Sequence, residues 1–384
     1  MIDGNRKIVF LTGTRADFGK LKPLIQKIQD DASYEVHIFV TGMHMLAKYG
    51  YTCEEVERAG FRNIFKYINQ NSSDGMDYVL AKTIVGLSDY VREINPDLII
   101  VHGDRVEALA GATVGALNNI LTAHIEGGEV SGTVDEMIRH AITKLAHIHL
   151  VSNEQARMRL VQLGELADSI HVIGSPDVDV MNSNTLPSLQ EVKRHYQINY
   201  ISYAVMAFHP VTSERKDLKR QISIIVDQLI KSHRNYIVIY PNNDHGTEVI
   251  FEEYQRVIGL QRFRLFPSMR FEYFLSLLKH ADFIIGNSSA GVREAPNFGV
   301  PTINLGSRQF HRVSCPSVMD VPIQSESVET AISEISLVPR QSYKLFGNGS
   351  SALLFHKILS TKAFWLTHTQ KYFVDQKISK ESKL

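Results

Sequence analysis

Short apolar runs, each ended by glycine or a polar turn and separated by longer amphipathic stretches, constrain this chain more than any other feature. In the first half such runs occupy 7–13, 34–42, 63–68, 97–103, 121–128, 147–153 and 170–174. Most are rich in Ile, Val and Leu, the composition of strands covered on both faces. Helical stretches such as 19–29 and 78–94 lie between them. This alternation predicts an α/β protein with a parallel sheet and helices on both sides.

The rhythm breaks at 182–199, a polar segment carrying Pro187, and resumes with runs at 203–209, 236–241, 263–267, 282–287 and 301–306. The 384 residues suit two cores better than one. The expected units are therefore 1–185, 186–360 and a helical C-terminal piece, 361–384, with helix running through 351–370.

Lys plus Arg and Asp plus Glu both number 41, so no overall charge draws the chain to nucleic acid or an anionic membrane. No apolar run is long enough to span a bilayer, and the first residues lack a signal-peptide pattern. Cys53 and Cys315 are too few and too far apart for a disulfide scaffold or a zinc site. The expected compartment is the cytoplasm.

In two doubly wound units, ligands collect beyond the carboxyl ends of the strands. Five segments fall there. Thr12 to Gly19 follows the first strand and offers a tight glycine turn, free helix N–H groups and the Arg15 cation to an anion, although a plain strand-to-helix turn has the same form. His102-Gly103-Asp104-Arg105 places a carboxylate beside an arginine, which favours its ionised form. His124-Ile125-Glu126-Gly127-Gly128-Glu129 is followed by Asp135 and Glu136 at the start of a helix bearing Arg139 and His140. Acids at a helix start can simply favour its dipole. Three strand ends delivering carboxylates into one cleft predict instead that their pKa values are pushed apart, giving one acid and one base. His209-Pro210-Val211-Thr212 opens the second unit. Gly286 to Pro296 supplies small hydroxyl residues at a helix start, suited to a diphosphate, with Glu294 placed to accept from ribose hydroxyls and Arg308 beyond the next strand.

Together with Tyr240-Pro241-Asn242-Asn243-Asp244, these segments resemble the UDP-N-acetylglucosamine 2-epimerases, and more closely their hydrolysing branch, which opens sialic acid synthesis. The resemblance runs in order from about 7 to 312. It implies two Rossmann-like domains arranged as in GT-B glycosyltransferases, with the C-terminal helix crossing back to the first. It implies that UDP-N-acetylglucosamine and water become N-acetylmannosamine and UDP, through 2-acetamidoglucal, with no cofactor or metal. The catalytic positions carried over are Asp104, Glu126, Asp135 and His209. The UDP contacts are Arg15, Arg105, Ser288, Ser289, Glu294 and Arg308. A homodimer or homotetramer is also implied.

The non-hydrolysing branch usually has Gly-Thr-Arg-Pro-Glu and Gly-Asp-Thr where this chain has Gly13-Thr14-Arg15-Ala16-Asp17 and Gly103-Asp104-Arg105, and a histidine where it has Asn243. Alternatives sharing these features are a hydrolysing epimerase of UDP-N,N′-diacetylbacillosamine, a non-hydrolysing epimerase, a glycosyltransferase of the same fold and a non-catalytic nucleotide-sugar sensor.

Overall fold

A computed structural model describes residues 5–71, 73–131, 133–211, 214–241, 246–309 and 312–375. Thr212 and Asn242-Asn243-Asp244 fall outside them. The first sheet contains β1 (Arg6–Thr12), β2 (Tyr34–Val40), β3 (Asn63–Lys66), β4 (Leu98–His102), β5 (Leu121–Ile125), β6 (Ile148–Val151) and β7 (Ile170–Val172). All pair in parallel, in the order β3-β2-β1-β4-β5-β6-β7. The second sheet contains β8 (Ala204–Ala207), β9 (Tyr236–Ile239), β10 (Phe263–Phe266), β11 (Ile284–Gly286), β12 (Thr302–Leu305) and β13 (Val318–Val321), also all parallel, in the order β10-β9-β8-β11-β12-β13.

The physical reason is plain at the sheet centres. Ile8, Val9, Phe10 and Leu11 alternate between two faces, yet all are buried, because helices cover both sides. The same holds for Val205 and Met206 in the second sheet. Every run expected from sequence forms a strand. The reading did not anticipate β13, whose residues are mostly half-exposed at the sheet edge.

Strand order reverses between β1 and β4 in one sheet and between β8 and β11 in the other. At each reversal, neighbouring connections leave in opposite directions and open a crevice. The segments after β1, β4, β8 and β11 are those singled out above.

The polypeptide crosses from one unit to the other twice. Pro176–Met181 leads out of the first unit, and the chain returns near Phe346, where Ser175 N–H donates to the Phe346 carbonyl at 2.7 Å. The return starts ahead of residue 361: helix Ser351–Leu359 is already part of it. Its Phe355 and Leu359 are fully buried in the first unit's core, and Phe355 meets Phe10 edge-on at 6.2 Å. Asp179 anchors the start of this helix, accepting from the Ser351 and Ala352 N–H groups at 2.9 and 2.8 Å. The expected continuous helix over 351–370 is interrupted. It stops at Leu359, a short turn of helix covers Lys362–Trp365, and 366–375 are non-helical. Lys371 nevertheless docks this last stretch, donating to Glu165 at 2.5 Å and to the carbonyls of Thr143 and Ala146.

Candidate active site

The two switch points face one another across a cleft of about 330 Å³. Asp104, Glu126, Asp135, His209, Arg15, Arg105, Ser288, Ser289, Glu294 and Arg308 all line it. Residues from separated strand ends are therefore brought to one site, and each has a local cause.

On the first wall, Thr14 caps helix Arg15–Ile28 by accepting from Asp17 N–H at 3.1 Å, while Asp17 reaches back to accept from Gly13 N–H at 3.0 Å. This reciprocal arrangement is a variant of the capping box. It aims the other Asp17 oxygen at His102 Nδ1, 2.7 Å away. His102 Nε2 lies 3.2 Å from Glu126 Oε2. Burial disfavours charge on this ring, but Glu126 and Asp17 outweigh it and raise its pKa to about 9. His102 is thus an imidazolium held between two carboxylates at neutral pH.

Glu126 has φ +65°, an uncommon backbone conformation for a residue with a side chain. Its Oε1 accepts from Arg293 Nη2 at 2.5 Å and from Ser175 Oγ, and Lys20 Nζ lies 3.8 Å from Oε2. Burial pushes this carboxyl up, but Arg293, Lys20 and His102 hold it well below the usual carboxylate range. Asp104 pairs with Arg139, whose other amino group donates to the Glu129 carbonyl at 3.0 Å. Burial acts against ionisation of Asp104 too, and Arg139, Arg312 and Arg308 reverse it. Glu129, between Arg293 and Arg312, is brought to about 2 against its burial.

Asp104, Glu126 and Glu129 therefore shift in the same direction. The expectation that clustered acids split into one high and one low pKa is not met by these three, because three guanidinium groups lie among them: Arg139 on Asp104, Arg293 shared by Glu126 and Glu129, and Arg312 on Glu129. Glu294 is the exception. Burial raises it most, Asp177 adds to the rise, and Lys20 at 3.9 Å offsets only part. Among the described residues, its Oε2 is buried without a hydrogen-bond partner.

The second wall is set by Asn287. Its amide brackets His209: the His209 N–H donates to Asn287 Oδ1 at 2.7 Å and Asn287 Nδ2 donates to the His209 carbonyl at 2.8 Å. Burial, then Arg308 and Arg105, keep the His209 ring well below its ordinary pKa, hence neutral. Gly286, at φ +135°, brings this turn against β8: a Cβ there would sit 2.0 Å from the Ala207 carbonyl oxygen. Ser288 caps the following turn, accepting from Ala290 N–H at 3.3 Å. Arg308 donates to the Asn287 carbonyl at 3.3 Å and lies 3.5 Å from Asp135, linking the walls.

Some residues occupy positions that their sequence reading did not specify. Arg15, expected to face phosphate, donates to Glu55 at 2.5 Å and to Ser268 of the second unit at 2.7 Å. Arg105 donates to Glu107 at 3.2 Å. His124 is buried and neutral, its pKa brought to about 3 by burial, and its Nε2 lies 2.8 Å from the Gly103 carbonyl, steadying the turn before Asp104. Sequence alone assigns no site role to Arg293, Lys20, Ser175, Asp177, Arg139 or Arg312. Lys20 lies one helical turn beyond Asp17 and was legible as a cleft-facing cation. The others converge only through the tertiary fold. Among the described residues, no group of three His, Cys, Asp or Glu is placed to hold a metal ion.

The profile of the family described as UDP-N-acetylglucosamine 2-epimerase matches residues 26–360. The UDP-N-acetylglucosamine 2-epimerase of Neisseria meningitidis serogroup B is 48% identical over 374 residues, covering 96% of this chain and 99% of that protein. The UDP-N,N′-diacetylbacillosamine 2-epimerase (hydrolyzing) of Legionella pneumophila is 31% identical, covering 93% and 96%. A crystal structure of UDP-GlcNAc 2-epimerase from Neisseria meningitidis bound to UDP-GlcNAc has a TM-score of 0.78, covering 92% of this chain and 99% of that one. At 16% identity it speaks for the fold alone. Sequence likeness over nearly the whole length thus joins a cleft built at two facing switch points, and the chain belongs to the UDP-N-acetylglucosamine 2-epimerase family.

Proposed function

We propose that this protein is a hydrolysing 2-epimerase that converts UDP-N-acetylglucosamine and water to N-acetylmannosamine and UDP. The observation that carries the reading is one cleft with ionised carboxylates on its first wall and a diphosphate-suited turn on its second. Glu294 Oε2, buried and unpaired, supports ribose recognition, since a hydroxyl would satisfy it. Arg105 and Arg308, with the turn at Ser288 and Ser289, are suited to receive departing UDP.

In this reaction a base takes the C2 hydrogen as the C1–O bond to UDP breaks, leaving a C1–C2 double bond in 2-acetamidoglucal. Water then adds its hydroxyl to C1, and a proton enters C2 on the face opposite the one that lost its hydrogen, which inverts C2. Asp104 and Asp135 suit the proton-transfer roles, because about a quarter of each side chain remains exposed, at 25% and 26%. Glu126 is 6% exposed, with both oxygens in contact with cations, and suits an orienting role.

The substitutions of Pro-Glu by Ala16-Asp17 and of Thr by Arg105 support the hydrolysing outcome. The 31% identity to a diacetylbacillosamine enzyme keeps a second substrate in view. The test is NMR of purified protein incubated in heavy water with each UDP-sugar separately. Free N-acetylmannosamine bearing deuterium at C2 is expected. Stable UDP-N-acetylmannosamine would refute hydrolysis, and turnover of the diacetylated sugar alone would reassign the substrate.

A further inference from the structure

The turn after β11 carries two adjacent charged residues with different surroundings. Glu294 lines the cleft, whereas Arg293 is 2% exposed where both units and both crossings meet. One arm of its guanidinium contacts Glu129. The other reaches Glu126 and Ser175, each at 2.5 Å, and Asp177 at 3.4 Å. The Phe346 ring covers the guanidinium, with 4.4 Å from Cζ to the ring centroid. One side chain from the second unit thus touches the end of β5, the outgoing connector and the returning segment.

We propose that Arg293 is a positioning residue that holds Glu126 in its working orientation across the junction and so couples the nucleotide-binding turn to the carboxylate wall. The inference deepens the proposed function and rests on it for the meaning of "working". Three features argue for it. Glu126 sits on a strained backbone, so its side-chain aim depends on partners. Those partners oppose one another: Arg293 and Ser175 take one oxygen while His102 and Lys20 approach the other. A planar guanidinium can engage Glu126 and Glu129 together, which an ammonium cannot do with the same geometry. The charged groups facing this cluster are the cations Arg293, Lys20 and His102 and the acids Glu129, Asp177, Asp17 and Glu294, so the guanidinium is not the sole counter-charge of Glu126.

Arg293→Lys keeps the charge and loses the fork. If Arg293 positions Glu126, this variant keeps its affinity for UDP and its KM within about threefold, while kcat falls at least about tenfold. A residue needed only for charge balance would be rescued by lysine, so kcat within about threefold of the parent overturns the proposal. A double-mutant cycle with Glu126→Gln, read in the unfolding equilibrium constant without substrate, tests the pairing itself. Coupling of about tenfold is expected, and none would overturn the proposal. Should Arg293→Lys prove unstable, Arg293→Gln combined with Glu129→Gln removes one charge of each sign. It is expected to fold and remain slow, and full activity in it would refute the inference. A parent protein inactive on both UDP-sugars, yet coupled in the cycle, would overturn the proposed function while supporting the pairing.

Discussion

Removing the proton from His102 should loosen the first wall of the cleft. The ring lies 2.7 Å from Asp17 and 3.2 Å from Glu126. Although its burial opposes charge, the carboxylates raise its pKa from 6.5 to about 9. The folded value is the higher one. Protonation therefore stabilises the fold fully below about pH 6.5, and that contribution is lost as pH rises through about 9. The gap corresponds to about 3 kcal/mol, enough to matter against the 5–15 kcal/mol typical of domains. Two measurements read it. In proton–carbon NMR, the His102 ring signal, assigned by its loss in His102→Gln, should titrate near pH 9, and near or below 8 in Asp17→Asn. In urea unfolding, the stability difference between parent and His102→Gln should shrink by about 3 kcal/mol from about pH 6 to about pH 10. Titration near 6.5, or a pH-independent difference between the two proteins, would refute the reasoning.

Other expectations follow from packing and charge. Gly286→Ala places a Cβ 2.0 Å from the Ala207 carbonyl at φ +135°. Parting β8 from β11 to admit it should cost at least about 3 kcal/mol and lower the Tm by several degrees, with loss of UDP binding in calorimetry. Glu294→Gln removes a charged acceptor and should weaken UDP binding roughly tenfold or more in the same assay while the Tm holds or rises, since burial already disfavours the ionised form. Asp104→Asn should cut kcat by about a hundredfold or more in the heavy-water assay with UDP affinity little changed, a proton-transfer signature. Phe355→Ala should cost about 3–5 kcal/mol in thermal unfolding, although residue 355 lies far along the chain from the core it fills.

Much of the frame was legible because a doubly wound sheet writes itself into sequence. Strands covered on both faces have to be apolar throughout, as at 98–101, and the turn chemistry at Gly13, Gly103 and Gly286 marks their carboxyl ends. β13 is less legible because it is only four residues long and Asp320 interrupts its apolar residues; at the sheet edge that charge is tolerated, and only Val321 of the four is buried. The helix expected over 351–370 is too long because Leu366 suggests a continuing apolar face, yet it is exposed. The cleft-lining residues could be named from strand ends, but their protonation could not. That depends on Arg139, Arg293 and Arg312 arriving from a helix and from the second unit. Arg293 was hidden most thoroughly. A cation beside Glu294 in a small-residue turn reads as a solvated pair, and nothing local announces that Glu126, Glu129 and Asp177 will surround it.

The double crossing bears on how the molecule is made. Phe355 and Leu359 complete the core beneath β1, so the first unit to leave the ribosome is the last to be finished. Until residue 359 is released, that unit presents an apolar seat, while the second sheet, ending at Val321, already has all its strands. Nascent chains stalled before and after this helix should therefore differ in protease resistance of the first unit far more than of the second. The carboxylate wall is thus synthesised well before the helix that completes the core beneath it.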